Sequence, residues 1–211
     1  MPVPLVVVGV QLVHLLLNDA ITKHFGLDLP HPSVTQMALG ACVTLPLDLA
    51  TTVVNMVLVL GALQQLDDGD VIHWQGAWDR GSAPGWPLFW ASVRYQVLCI
   101  LGFFALLVPG IVYAARKQLY APLMVLGGMD ADEAFRQSPE WLFGHKLRLA
   151  SAYCALTLLS ALITWFFKGG PLEGPVQWLL TPLLTPLFPI LEGVVFLQLR
   201  ALRGEPVRAH N

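Results

Sequence analysis

Residues 107–128, LVPGIVYAARKQLYAPLMVLGG, look suited to a lipid bilayer, yet they place Arg116 and Lys117 side by side. A helix over 110–126 would be about 26 Å long at 1.5 Å per residue, close to the thickness of a bilayer core. A charged side chain at that depth costs about 2.5–3.5 kcal/mol on insertion scales, so it must face a partner, water or an interface. We therefore expect 110–126 to be a membrane span with Arg116 turned into a helical bundle.

Few acidic side chains are available to pair with these two cations inside a membrane. Asp48 in LPLDLATT and Glu192 in PILEGVV are the candidates, because both interrupt apolar runs. The four residues Asp48, Arg116, Lys117 and Glu192 form a candidate intramembrane polar cluster. Two interpretations stay open: a structural ion pair, or a polar pocket that binds a headgroup or carries a proton or solute.

The composition favours an integral membrane protein. Of 211 residues, 55% are apolar and 12% are charged, and the mean hydropathy is +0.62; soluble domains contain about 25% charged residues. A net charge of −2 gives no reason to expect nucleic acid binding. The cysteines lie in apolar runs without metal-ligand spacing, so we expect no metal and no cofactor.

Apolar runs of near-spanning length predict an all-α, polytopic membrane bundle forming one domain over 1–211. About six spans are expected, at 3–18, 34–63, 88–108, 110–126, 149–167 and 176–199. No basic segment precedes the first run, which favours a retained span over a signal peptide. Prolines predict kinks in the second and sixth spans: Pro46, Pro182, Pro186 and Pro189.

The distribution of Lys and Arg predicts the orientation, because short cytoplasmic loops carry the excess of both. With six spans and both termini in the cytoplasm, the inner side collects Arg80, Arg94, Arg136, Lys146, Arg148, Arg200, Arg203 and Arg208. The outer side receives Lys23 and Lys168. This bias supports a multi-pass membrane protein with both termini in the cytoplasm.

Residues 130–146 predict an amphipathic elbow at the cytoplasmic lipid interface. Asp130 and Glu133 resemble a capping box, and an apolar stripe recurs at helical spacing over Ala131, Ala134, Phe135, Ser138 and Leu142. Ser138 and Pro139 then read as the N-cap and first position of a new helix. Glu140 and His145 lie near Ser138, but no nucleophile signature surrounds it, so we expect no enzyme.

The order of these motifs resembles a family of bacterial inner-membrane proteins, the YciC-type proteins and the membrane domain attached to some glycerophosphodiester phosphodiesterases. The matching positions are Gly102, Pro109, Gly110, Ile111, Arg116, Ala121, Pro122, Glu133, Ala134, Ser138, Gly144 and His145. The chain departs from the pattern at Gly127-Gly128 and at Pro139. The resemblance implies a multi-spanning helical membrane protein and no particular activity.

Two functions are favoured by these observations over a third, a membrane-embedded enzyme acting on lipid, which would need acid and base groups clustered at headgroup depth. The first is a non-enzymatic membrane protein that acts in envelope or membrane maintenance through contacts with lipids, a protein partner or a second copy of itself. The alternative is a small transporter or permease-like subunit with a polar intramembrane pocket, for which kinked spans beside buried charges are typical.

Overall fold

The regular structure of this chain is helical, as the sequence predicts. A computed structural model describes residues 3–27, 33–105, 107–144, 146–167 and 184–204, and no strand occurs within these ranges. The helices are α1 (Val3–His24), α2 (Val34–Asp67), α3 (Trp74–Gly81), α4 (Trp86–Ala105), α5 (Leu107–Lys117), α6 (Tyr120–Val125), α7 (Ala131–Trp141), α8 (Lys146–Phe167) and α9 (Leu187–Arg203).

Two helices in the described part of the chain, α1 and α2, are long and apolar enough to cross a membrane. They contain 22 and 34 residues, which corresponds to about 33 and 51 Å. Both continue beyond the predicted spans 3–18 and 34–63. The other predicted spans stay predictions; 149–167 falls within α8, and the first third of 176–199 lies outside the described residues.

Helix α2 is the central element, because α1, α3, α4, α6 and α9 all pack against it. Its first turn is closed by a capping box: the Ser33 hydroxyl accepts from the Gln36 N–H, and the Gln36 side chain accepts from the Ser33 N–H. Pro46 lies inside the helix, where its ring removes one backbone donor.

The predicted span 110–126 is not one continuous helix, because the chain breaks at Gln118 and Leu119 between α5 and α6. Helices α4 and α5 form an antiparallel hairpin in which the Tyr95 hydroxyl donates to the Ala114 carbonyl at 3.4 Å. With 11 residues, α5 is about 16 Å long, roughly half the thickness of a bilayer core. The segment therefore turns back along α4 and then bends into α6.

The core lies where α6 meets α2, α7 and α9. Tyr120 is 1% exposed and stacks on Phe135 of α7 with ring centroids 5.1 Å apart, while Trp141 of α7 packs on Phe196 of α9 at 5.0 Å. The apolar face of α7 is thus covered by protein. Sequence periodicity predicted the face correctly, but the expectation that it rests on lipid is wrong, because α6 and α9 occupy it.

Helices α2 and α3 approach so closely that only glycine fits at two contact positions. A Cβ atom at Gly61 would lie 1.8 Å from the Ala77 carbonyl oxygen, and one at Gly81 would lie 1.9 Å from the Val57 carbonyl oxygen. Both obstacles are backbone atoms, which cannot move without shifting a whole helix. The pair of glycines therefore fixes the distance between the two helices.

Replacing Gly61 or Gly81 with alanine is expected to destabilise the fold by about 2 kcal/mol, as overpacking of a rigid contact does. The measurement is the thermal unfolding midpoint of the purified protein in detergent. Gly9→Ala is the matched control, because a Cβ there has nothing within 4 Å. Equal midpoints for Gly61→Ala and Gly9→Ala would show that the helices are not in this close contact.

Candidate functional site

The break between α5 and α6 is bridged by one hydroxyl group from α7. The Ser138 Oγ donates to the Arg116 carbonyl oxygen at 2.9 Å and accepts from the Leu119 N–H at 3.2 Å. Carbonyls at a helix end and N–H groups in a turn have no partner within the helix, and Leu119 and Ser138 are fully buried. A single serine thus satisfies both sides of the break.

Lys117 replaces a backbone hydrogen bond that Pro139 removes from α7. A residue at position 139 of a helix would normally donate its N–H to the carbonyl of Phe135, but proline has no N–H. The Lys117 Nζ donates to that carbonyl at 2.5 Å. The expectation that Ser138 and Pro139 start a new helix is wrong, since Pro139 lies inside α7 and the ammonium compensates for the missing bond.

Arg116 lies at the protein surface rather than in a buried ion pair. Its side chain is exposed, and it borders a shallow depression of about 480 Å³ together with Pro139, Glu140 and Phe143. The predicted pairing of Arg116 with Asp48 or Glu192 is not formed. The helix break places the residue beside α7 instead of inside the bundle.

Arg94 of α4 completes a group of cations at this place. Its guanidinium contacts Asp132 of α7 at 2.7 Å and lies over the Phe135 ring, 5.1 Å from the centroid. Arg94 and Arg116 both act electrostatically on the Lys117 ammonium, which is also partly desolvated. We call Arg94, Arg116 and Lys117 the basic patch.

The basic patch belongs to a larger charged face that joins the ends of several helices. Asp67 at the end of α2 pairs with Arg200 of α9, and Arg80 of α3 pairs with Asp68 at 2.6 Å and with Asp70. Arg203 of α9 donates to the Glu140 carbonyl at 3.0 Å and covers the Trp141 ring. Four of the cations assigned to the inner side by charge counting therefore lie on connected elements: Arg80, Arg94, Arg200 and Arg203.

The two acidic members of the predicted cluster lie apart from the basic patch. Asp48 contacts the His14 Nε2 of α1 at 3.1 Å. Glu192 is 6% exposed in α9 and acts electrostatically on Tyr95 and Tyr120. The structure thus divides the four predicted residues among separate environments, which sequence spacing alone could not reveal.

A polar seam between α1 and α2 was missed by the sequence reasoning. Val3, Val7, Gln11 and His14 recur on one face of α1, and Asp48, Thr51, Asn55 and Leu58 recur on one face of α2. The His14 Nδ1 lies 3.0 Å from the Thr51 Oγ1. Polar residues at core spacing inside an apolar run are the signal that could have identified the seam.

The remaining motif positions that the structure describes lie in a helix cap, in a turn and within helices. The Asp130 carboxylate accepts from the Glu133 N–H at 2.8 Å, whereas the Glu133 side chain accepts from Gln137 and does not complete the predicted capping box. Gly144 has a φ of 83°, which favours glycine in the turn after α7. Pro109 and Gly110 lie in α5 and Pro122 in α6; His145 falls outside the described residues.

An apolar groove of about 400 Å³ lies between α1, α2 and the start of α9. Its lining includes Val7, Val59, Leu63, Leu66 and Ile190. Such a surface suits a hydrocarbon chain rather than a polar ligand.

The chain matches no family model, no curated protein and no solved structure. Within the described residues, no three His, Cys, Asp or Glu side chains are grouped to hold a metal ion. The basic patch and the polar seam are the features of this chain that point to a function.

Ser138→Ala is expected to lower the thermal unfolding midpoint, because it leaves the Arg116 carbonyl and the buried Leu119 N–H without their common partner. The cost is about 1–3 kcal/mol for each unsatisfied group. Ser82→Ala serves as the control, since Ser82 makes one long, exposed contact to the Asp79 carbonyl. An unchanged midpoint in Ser138→Ala would exclude the bridge.

The compensation between Lys117 and Pro139 predicts a measurable coupling. Lys117→Met should cost about 1 kcal/mol in the wild-type background. It should cost clearly less in a Pro139→Ala background, where the restored N–H can reach the Phe135 carbonyl. A double-mutant cycle of unfolding free energies measures the difference, with Arg136→Met as the surface control; additive effects would contradict the compensation.

Proposed function

We propose that this chain is a non-enzymatic, multi-spanning inner-membrane protein that binds anionic lipid headgroups through its basic patch and acts in membrane or envelope maintenance. The observation that carries the proposal is the exposed Arg116 side chain at a helix break, where Lys117 follows it and where Lys117 and Arg94 both contact Phe135. Like charges gathered beside one another repel, so an anion between them would be stabilised.

Phosphate is the anion that this chemistry fits best. An arginine guanidinium forms paired hydrogen bonds to phosphate oxygens, and an ammonium adds a point charge. Each cation near an anionic membrane surface contributes about 1 kcal/mol of attraction. Asp132 neutralises part of Arg94, so Arg116 is the member whose charge is most available to a lipid.

Exposed aromatic rings support a position of this face at the membrane surface. Phe143, beside Arg116, is 79% exposed, and Trp86 and Trp90 at the start of α4 are 65% and 54% exposed. Trp and Phe rings at headgroup depth anchor proteins between water and hydrocarbon. The lipid whose headgroup contacts Arg116 could therefore place its chains along the same surface.

The orientation belongs to the same proposal. Six spans with both termini in the cytoplasm would put the charged face on the cytoplasmic side, where anionic lipids meet it. Residues 149–167 of α8 contain no charged side chain, which supports a further span there. Kinship with the YciC-type family is part of this proposal and would predict the same multi-spanning arrangement.

A transport function is the second candidate. It is favoured by the polar seam, since His14 and Asp48 lie inside helices that are apolar enough to cross a membrane. A transporter needs a polar path that reaches both faces. Within the described residues no hydrogen bond or ion pair joins the basic patch to the seam, so lipid binding is the better supported function.

Arg116→Gln is expected to weaken the binding of phosphatidylglycerol about fivefold, the equivalent of about 1 kcal/mol. The measurement is the rise in unfolding midpoint on titrating phosphatidylglycerol into the detergent-purified protein. Neutral phosphatidylcholine should give no comparable rise. If wild type responds equally to both lipids, headgroup binding is excluded.

The matched control is Lys23→Gln, which removes one positive charge from the end of α1, where Lys23 pairs with Asp19 at 2.8 Å. This variant should keep the wild-type response to phosphatidylglycerol. A loss as large as that of Arg116→Gln would show that net charge, rather than the basic patch, controls the interaction.

A further inference from the structure

The polar seam between α1 and α2 continues farther into the protein than its ion pair. Antiparallel packing brings Val7 of α1 into one apolar cluster with Leu58 of α2 and His14 against Thr51. Gln11 lies between Val7 and His14, and Asn55 lies between Thr51 and Leu58. The register therefore sets Gln11 and Asn55 opposite each other in the next layer of the seam.

Exposure falls steadily along this seam from one end. The Asp48 side chain is 48% exposed and that of His14 is 12% exposed. Gln11 and Asn55 are each 2% exposed, and Val7 and Leu58, the next layer, are 3% and 2% exposed. The seam is thus open at Asp48, polar as far as Asn55 and closed by apolar side chains beyond it.

The two amide side chains are buried without partners in the described part of the chain. Both polar atoms of Asn55 and the Nε2 of Gln11 have no hydrogen bond there. An unpaired amide in an apolar environment costs about 2–7 kcal/mol, depending on the reference state. Two such groups facing each other inside apolar helices are a stable arrangement if water reaches them.

The Thr51 hydroxyl at the mouth of the seam has two possible hydrogen-bond arrangements. The Thr51 hydroxyl lies 2.9 Å from the Leu47 carbonyl and 3.0 Å from the His14 Nδ1, but it has one proton to donate. If it donates to Leu47, it accepts from Nδ1–H, and a second proton must lie between Nε2 and the Asp48 carboxylate. If it donates to Nδ1, one proton on Nε2 is enough. Either arrangement leaves Thr51, His14 and Asp48 joined in one row of polar contacts at the mouth.

We propose that the seam is a hydrated half-channel, which admits water and protons from the membrane face opposite the charged face as far as Gln11 and Asn55. The direction follows from α2, along which 19 residues separate Asp48 from Asp67, or about 28 Å. Val7 and Leu58 close the inner end. This inference does not depend on lipid binding by the basic patch.

Cysteine accessibility tests the half-channel in the full chain. Single cysteines replace Thr51, Gln11 or Asn55 in a background whose native cysteines Cys42, Cys99 and Cys154 are changed to serine. The protein is reconstituted in vesicles, and a membrane-impermeant cationic methanethiosulfonate is added to one face at a time. Because only a hydrated thiolate reacts, we expect modification from the face opposite the charged face at rates at least about tenfold above the control.

Two cysteine positions serve as controls for the accessibility measurement. Leu12→Cys is the lipid-facing control, since Leu12 neighbours Gln11 on α1 but is 39% exposed on the outer surface. Leu58→Cys lies behind the closure, and both should stay unmodified. Val71→Cys marks the opposite side of the membrane, because Val71 is 84% exposed and follows Asp70 on the charged face.

Three results of the accessibility measurement would contradict the half-channel. If Gln11→Cys and Asn55→Cys react no faster than Leu12→Cys, the seam is dry and the proposal is wrong. Reaction from the charged face, or modification of Leu58→Cys, would equally overturn a half-channel closed by Val7 and Leu58.

A second measurement avoids substitutions in the seam. Solid-state NMR of the unmodified protein in lipid should show magnetisation transfer from water to the Asn55 side-chain amide, and no transfer would overturn the proposal. Neither result depends on phosphatidylglycerol, so failure of the half-channel and failure of lipid binding are distinguishable.

Discussion

The backbone break between α5 and α6 is the constraint on which the rest of this fold depends. A helix that ends inside protein leaves carbonyl and N–H groups that must be bonded again. Ser138 bonds to both sides of the break. Lys117 donates to the Phe135 carbonyl, which has no backbone partner because Pro139 lacks an N–H. Helix α7 is therefore held against α5 and α6 by polar contacts as well as by the Tyr120 and Phe135 rings.

That arrangement explains why two cations stand together in an apolar stretch. Lys117 is used structurally, because its ammonium replaces a backbone donor. Arg116, the next residue back, points to the surface beside Glu140 and Phe143. The pair thus combines one cation that stabilises the fold with one that is available to an anionic ligand, and adjacent helix positions about 100° apart make the division possible.

The two helices best suited to a bilayer carry a different kind of polarity. In α1 and α2 the polar side chains face each other instead of the surface, and Asp48, His14 and Thr51 bond across the seam. Nearer to the charged face, the same sides of α1 and α2 carry apolar residues. The seam therefore changes from polar to apolar within two helical turns. Lipid contact at one end and a hydrated seam at the other can coexist, since they use separate residues.

The sequence by itself determined the helical class, the long helices α1 and α2, the amphipathic face of α7 and the Asp130 cap, because these depend on local periodicity and on bonds within a few residues. Only tertiary structure decided what the charges contact. The partner of Asp48 is 34 residues away on α1, and the carbonyl served by Lys117 is 18 residues away on α7. A bond between helices depends on their packing and on where a helix breaks, and neither is encoded at fixed spacing along the chain.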